Sequence, residues 1–207
     1  MEFLRKTFIV ACALALLGAG LPARGQEALI AAFEESYTLE AAGNHRGAAA
    51  VLNQVYQSDS YEINLRLGWL HYQAGSMDES MTFYSRAIAL KPYGIEARFG
   101  YVLPLSAMGR WDEVAEQYRR ILETDPQNSL ANYRMGLIHY NRGQFERAES
   151  HLEKVVNLYP FDYDSLLLFA WIKFQLGKNR EARILFNKVL MHTPGDPSAL
   201  EGLSLIQ

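Results

Sequence analysis

Four prolines, Pro92, Pro126, Pro160 and Pro194, stand 34 residues apart, and four glycines, Gly75, Gly109, Gly143 and Gly177, keep the same spacing. Two residue types held in step at one period leave few folds available: the chain is a repeat array whose units each carry a glycine and a proline. Between each glycine and the next proline runs a segment with helical periodicity. From Trp111 to Leu122, apolar residues fall at i, i+3, i+4 and i+7 counted from Trp111, and continue at Ile121 and Leu122. Each unit therefore reads as two helices. Glycine ends the first because it enters the left-handed conformation without strain, and proline follows the second because it cannot continue a helix. One hairpin of two helices cannot bury its own apolar face, so the recurrence implies stacking of neighbours into a solenoid. The expected fold class is all-α.

The pattern resembles the tetratricopeptide repeat, which places small or apolar residues at fixed repeat positions and proline near the end. Residues 61–94 supply Leu67, Gly68, Gly75, Tyr84, Ala87 and Pro92 at positions 7, 8, 15, 24, 27 and 32, with Ser80 at position 20. Residues 129–162 supply Met135, Gly136, Gly143, Ala148, Leu152, Val155 and Pro160, and residues 163–196 supply Phe169, Ala170, Gly177, Ala182, Phe186, Val189 and Pro194. Residues 29–60 form a shorter unit without the proline, and residues 197–207 read as one additional first helix that caps the array. The resemblance implies a right-handed superhelical solenoid of antiparallel helix pairs. It also implies that positions 8 and 20 are points of close helix approach, which accounts for Gly68, Gly136, Ala170, Ala148 and Ala182.

Residues 95–128 keep Tyr101, Gly109, Tyr118, Ile121 and Pro126 but depart from the pattern elsewhere. Pro104 falls inside the first helix, where it removes the hydrogen bond to the Gly100 carbonyl. Val102 and Val114 replace the small residues at positions 8 and 20. Either a hinge that reshapes the array or a local kink fits these substitutions.

The N-terminus reads as an export signal. A basic start, MEFLRK, precedes an apolar stretch from Phe8 to Leu21 and then Ala23-Arg24-Gly25, which places cleavage after Gly25 and leaves the solenoid as residues 26–207. The apolar stretch is shorter than the roughly 20 residues a spanning helix needs, so no stable membrane span is expected after processing. Ile9-Val10-Ala11-Cys12 resembles a lipoprotein box, but apolar residues continue past it at Leu14, Leu16 and Leu17. The expected location is the periplasm, with outer-membrane association open. Cys12 is the single cysteine, so the mature chain has neither a disulfide nor a cysteine zinc site. A net charge of −3 and a pI near 6.0 argue against nucleic acid as a ligand.

No His-Glu-x-x-His, Gly-x-Ser-x-Gly or phosphate-binding loop occurs, so neither an enzyme nor a cofactor is expected. His71 and His139 share repeat position 11 but lie two repeats apart, too far to share a metal, and no metal site is expected. In the resembled family, ligands lie along the concave face formed by first helices. That surface carries Phe33, Tyr37, Trp69, Tyr72, Phe99, Tyr133, Tyr140, Trp171 and Phe174, which form the candidate groove. Position 9 holds Trp69, Leu103, Leu137 and Trp171, large apolar groups that mark either a recognition surface or burial under a neighbouring element. Positions 5 and 9 are apolar from residue 61 onward, so the carboxylate clamp of the chaperone-binding members does not transfer. Arg66, Arg110, Arg119, Arg120, Arg142 and Arg147 read as a solvated face. The expected function is a non-catalytic scaffold of the bacterial cell envelope that binds a protein or peptide partner in the aromatic groove. Two alternatives are glycan binding in polysaccharide export, with Trp69, Tyr72, Tyr140 and Trp171 stacking on sugars, and self-association into a homo-oligomer.

Overall fold

The computed structural model describes residues 23–206, which form eleven helices and no strand. They pair as hairpins in chain order: α1 (Ala23–Ala41) with α2 (His45–Gln54), α3 (Tyr61–Gln73) with α4 (Met77–Leu90), and α5 (Ile95–Ala107) with α6 (Trp111–Thr124). Then α7 (Ser129–Asn141) pairs with α8 (Phe145–Leu158), α9 (Tyr163–Gln175) with α10 (Asn179–His192), and α11 (Pro197–Leu205) closes the array. Each hairpin also packs on the next, which makes the solenoid expected from the period. Most of the expected leader, residues 1–22, lies outside the described residues. The described part of α1 runs from Ala23, so the expected cleavage point after Gly25 falls within this helix.

The repeated glycine closes each hairpin by the mechanism its spacing implied. Gly75 has φ +79°, its N–H donates to the Tyr72 carbonyl at 3.0 Å, and the Ser76 N–H donates to the His71 carbonyl at 2.8 Å. These two hydrogen bonds satisfy carbonyls that the end of α3 would otherwise leave open. The start of the first helices has a device that the period alone did not suggest. Ser60, Asn128, Asp162 and Asp196, each the last residue of its unit, cap α3, α7, α9 and α11 by accepting from the backbone N–H three residues on. Asn64 and Asn132, both fully buried, then tie the preceding loop down through their amide nitrogens, to the Ser58 and Ser60 carbonyls and to the Pro126 and Asn128 carbonyls.

Close approach occurs where small residues were read. Ser80 donates to the Gly68 carbonyl at 2.7 Å across α3 and α4, and a β-carbon on Gly136 would stand 1.8 Å from a Leu152 methyl. At the C-terminal end, α11 covers the last hairpin: Gly202 lies under the Phe186 ring, Ile206 is buried, and the Tyr163 hydroxyl donates to Asp196 at 2.6 Å. Pro104 is buried within α5, and the helix continues through it to Ala107.

Candidate functional site: a cavity between the first helices

Three pairs of side chains line an opening on the first-helix surface. Phe33 and Tyr37 on α1, Leu65 and Trp69 on α3, and Phe99 and Leu103 on α5 are each four residues apart, so each pair shares one face of its helix. Stacking the hairpins sets the three pairs side by side around a cavity of about 700 Å³. Tyr37 is 57% exposed, whereas Phe33, Trp69 and Phe99 are half-buried with one side on the core.

Beside these residues sits a polar cluster that corrects one reading of the sequence. Arg66, assigned to the solvated face, is only 9% exposed. Its guanidinium lies 3.8 Å from the Tyr37 ring centroid and pairs with Glu40 at 2.6 Å. Its Nε is buried without a hydrogen-bond partner. Glu40 also accepts from the Trp69 indole, so one carboxylate from α1 orients two side chains of α3. Burial works to raise the Glu40 pKa, but the bonds from Trp69 and Arg66 outweigh it and hold the carboxyl below its ordinary value. Stacking on an aromatic face and pairing with a carboxylate are what permit an arginine to be buried here. Glu40 lies in the preceding repeat, and no sequence rule links the two positions; the apolar neighbours Leu65 and Leu67 were the available hint. Glu62 and Lys91, which also line the cavity, pair with each other at 3.4 Å, and the Tyr61 hydroxyl donates to Glu96 at 3.4 Å.

The nine candidate groove residues do not form one surface. Phe33, Tyr37, Trp69 and Phe99 line the cavity, and the Tyr72 ring lies next to it, 5.9 Å from that of Trp69. Tyr133 borders a separate cavity of about 320 Å³ with Leu130 and Tyr159. Tyr140 packs against Phe145, ring centroids 5.6 Å apart. Trp171 is held edge-on between Phe174 and Phe186, at 5.7 and 5.2 Å, and its indole donates to Ser198 of α11 at 2.9 Å. The two position-9 tryptophans thus have different surroundings. Helix α11 covers Trp171, while the Trp69 indole is held by Glu40 of α1 and its ring borders the cavity. Lining residues missed in the sequence include Tyr84, a second-helix residue whose ring reaches between α3 and α5.

Three of the histidines stack on neighbouring rings. His71 stacks on Phe83 at 5.1 Å, and His139 stacks on His151 at 5.5 Å. Among the described residues, no group of three or more histidine, cysteine, aspartate or glutamate side chains is placed to hold a metal ion. No described helix is long and apolar enough to cross a membrane.

Family models described as tetratricopeptide repeat match residues 33–95, 105–164 and 142–205, which takes in the hairpins around the cavity. The chain belongs to the tetratricopeptide repeat family. Members of this family act as protein-interaction scaffolds, generally without catalysis. Among curated proteins, the "Inactive TPR repeat-containing thioredoxin TTL3" of Arabidopsis thaliana is 29% identical over 87 residues, 42% of this chain and 13% of that protein. The "Protein CTR9 homolog" of the same plant is 23% identical over 125 residues, 60% of this chain and 12% of that protein. The match therefore spans about an eighth of either relative's length. Among solved structures, a tetratricopeptide repeat protein from Parabacteroides merdae has a TM-score of 0.73 at 19% identity, over 85% of this chain and 71% of that one. YrrB, described as a TPR protein with an unusual peptide-binding site, has a TM-score of 0.69 at 15% identity, over 88% of this chain and 95% of its own. MamA has a TM-score of 0.69 at 17% identity, over 81% and 92%. At these identities the structural likeness concerns the fold alone.

Proposed function

We propose that this chain is a non-catalytic scaffold that holds a polypeptide segment of a partner against the cavity between α1, α3 and α5. The observation that carries this reading is the set of three apolar i, i+4 pairs on consecutive first helices, all lining one cavity of about 700 Å³. Aromatic anchors that enter such a pocket supply most of the energy of many interfaces, about 2 kcal/mol or more each. The charged groups at this site are largely paired with one another, so the ligand is selected by apolar and aromatic fit rather than by net charge. The peptide-binding site described for YrrB supports the same class of ligand for this fold.

The test places a benzophenone amino acid at Leu65 and, as a control, at exposed Arg147 on α8. The expected result is a light-dependent cross-link to a peptide of another protein from position 65 and none from position 147. Cross-links only to a second copy of this chain would replace the reading by self-association, and equal labelling from both positions would overturn it. The scaffold is further proposed to work in the periplasm, after removal of residues 1–25. The intact mass of the exported protein tests this, and retention of those residues or a lipid on Cys12 overturns it.

A further inference from the structure

The one repeat that breaks the small-residue rule has a cavity where the others have contact. Positions 8 and 20 of this unit hold Val102 and Val114, both buried, where neighbouring hairpins have Gly68 with Ser80 and Gly136 with Ala148. Two β-branched side chains at the points of closest approach keep α5 and α6 from closing as tightly as the hairpins on either side, and theirs is the least closely packed of the four 34-residue hairpins. The resulting cavity, about 620 Å³, lies between α5, α6 and α7 and is more enclosed than the one before Trp69. Val102, Trp111, Val114, Tyr118, Leu137 and Ile138 make its apolar wall.

The charged groups in this wall are of one sign. Arg134 and Arg142 line it, with Ser106 and Asn141, and no carboxylate does. Arg142 is paired with the highly exposed Asp112 at 2.8 Å. Arg134 forms no ion pair among the described residues; it lies 5.8 Å from the Tyr133 ring centroid and also borders the shallower cavity that contains Asp162 and Asp164. The Tyr118 side chain is 7% exposed, and its hydroxyl makes no hydrogen bond among the described residues. Arg134 is exposed, so the mouth of the cavity presents a guanidinium without an ion pair among the described residues, and the cavity it shares with the Tyr118 hydroxyl can take an anionic acceptor. Val102, Val114, Leu137 and Ile138 offer no partner to the N–H and C=O groups of a peptide, so the occupant that fits this part of the wall has an apolar body, with its polar head toward the arginines.

We propose that the cavity between α5, α6 and α7 binds a small amphipathic carboxylate, with its hydrocarbon part against Val102, Val114 and Leu137 and its carboxylate on Arg134 and Tyr118. The site is separate from the peptide cavity, although Leu103 borders both.

The test titrates the full chain with decanoate, 1-decanol and decyltrimethylammonium in a calorimeter. Trp111, 53% exposed in the cavity wall, serves as a second, fluorescent reporter. The expected result is one saturable decanoate site per chain, with decanol at least about tenfold weaker, the ratio one charge-assisted hydrogen bond provides, and no binding of the cation. Arg134→Gln reduces decanoate to the affinity of decanol at an unchanged melting temperature, and Tyr118→Phe weakens decanoate in the same direction should the first variant fold poorly. Trp69→Ala leaves decanoate binding unchanged, so loss of peptide capture and loss of this site are distinguishable. Equal binding of decanoate and decanol, unsaturable uptake, or a decanoate affinity indifferent to Arg134 overturns the proposal.

Discussion

A β-carbon on Gly100 would stand 2.1 Å from Cε1 of Tyr84, and the same ring also faces Gly68, where an added β-carbon would stand 2.8 Å from Cγ. Tyr84 is 2% exposed, so its ring fills the gap between α3 and α5, and both glycines leave the room that admits it. Such an arrangement makes the sign of a substitution predictable. In an open helix, Gly→Ala stabilises by about 1 kcal/mol. Here Gly100→Ala is expected to destabilise by about 1–3 kcal/mol, because the ring cannot withdraw from one glycine without striking the other. Urea melts of the variant and the parent decide it, and a gain in midpoint would mean that the ring has room to move.

The two position-9 tryptophans are expected to part company. Trp171→Ala removes the ring that Phe174, Phe186 and α11 pack around, and it should cost about 3 kcal/mol. Trp69 faces a cavity on one side, so Trp69→Ala should cost less, about 1–2 kcal/mol, and should weaken partner capture far more than Trp171→Ala does. Thermal melts run beside the position-65 cross-linking assay measure both effects. Equal melts would mean that Trp69 is as much a core residue as Trp171.

The His139–His151 stack makes stability depend on pH. Burial first, then the neighbouring His139 and Lys154, push the His151 pKa from 6.5 down to about 4. The Asn132 amide nitrogen is already donating to two carbonyls, so its oxygen is the group that meets His151 Nδ1 at 2.9 Å, and the neutral ring carries its proton there. The unfolded chain binds a proton below about pH 6.5 that the folded chain accepts only near pH 4. The contribution is therefore complete above pH 6.5 and is lost progressively as pH falls toward 4. His151→Gln should flatten the stability curve over that window, measured as urea midpoints at half-unit intervals. An unchanged slope would assign the acid sensitivity to carboxylates such as Glu40 and Glu149, whose pKa values are held low by their partners.

Pro104→Ala is expected to raise the stability of the isolated protein by about 1–2 kcal/mol. Restoring the N–H recovers a bond to the Gly100 carbonyl, against a proline cost of about 3 kcal/mol, while the loss of a buried ring takes part of that gain back. Calorimetric melting of the variant measures the balance. A clear fall in melting temperature would show that ring packing outweighs the missing bond.

Much of the fold is legible in the chain alone, because its causes are local and periodic. Gly75 and its counterparts end helices through their own backbone freedom, the prolines stop the second helices, and the helical period between them states which face must be covered. The end-capping role of residues 197–207 follows from the same logic. The groove residues were legible only as a set of positions. Phe33, Tyr37, Trp69 and Phe99 met around one cavity, whereas Trp171 and Phe174 entered the C-terminal core.

What the sequence determined by itself was the hairpin, its length and the surface each first helix turns toward its neighbours, since these depend on residues within a turn or two of each other. Only the tertiary structure decided which of those surfaces stayed open. Whether Trp69 faces a cavity, whether Arg66 is solvated or buried against Tyr37 and Glu40, and whether Val102 and Val114 leave a void all depend on residues one or more helices away. The free energy of burial is set by the neighbour that arrives across the gap, and no spacing along the chain encodes how closely that neighbour will approach.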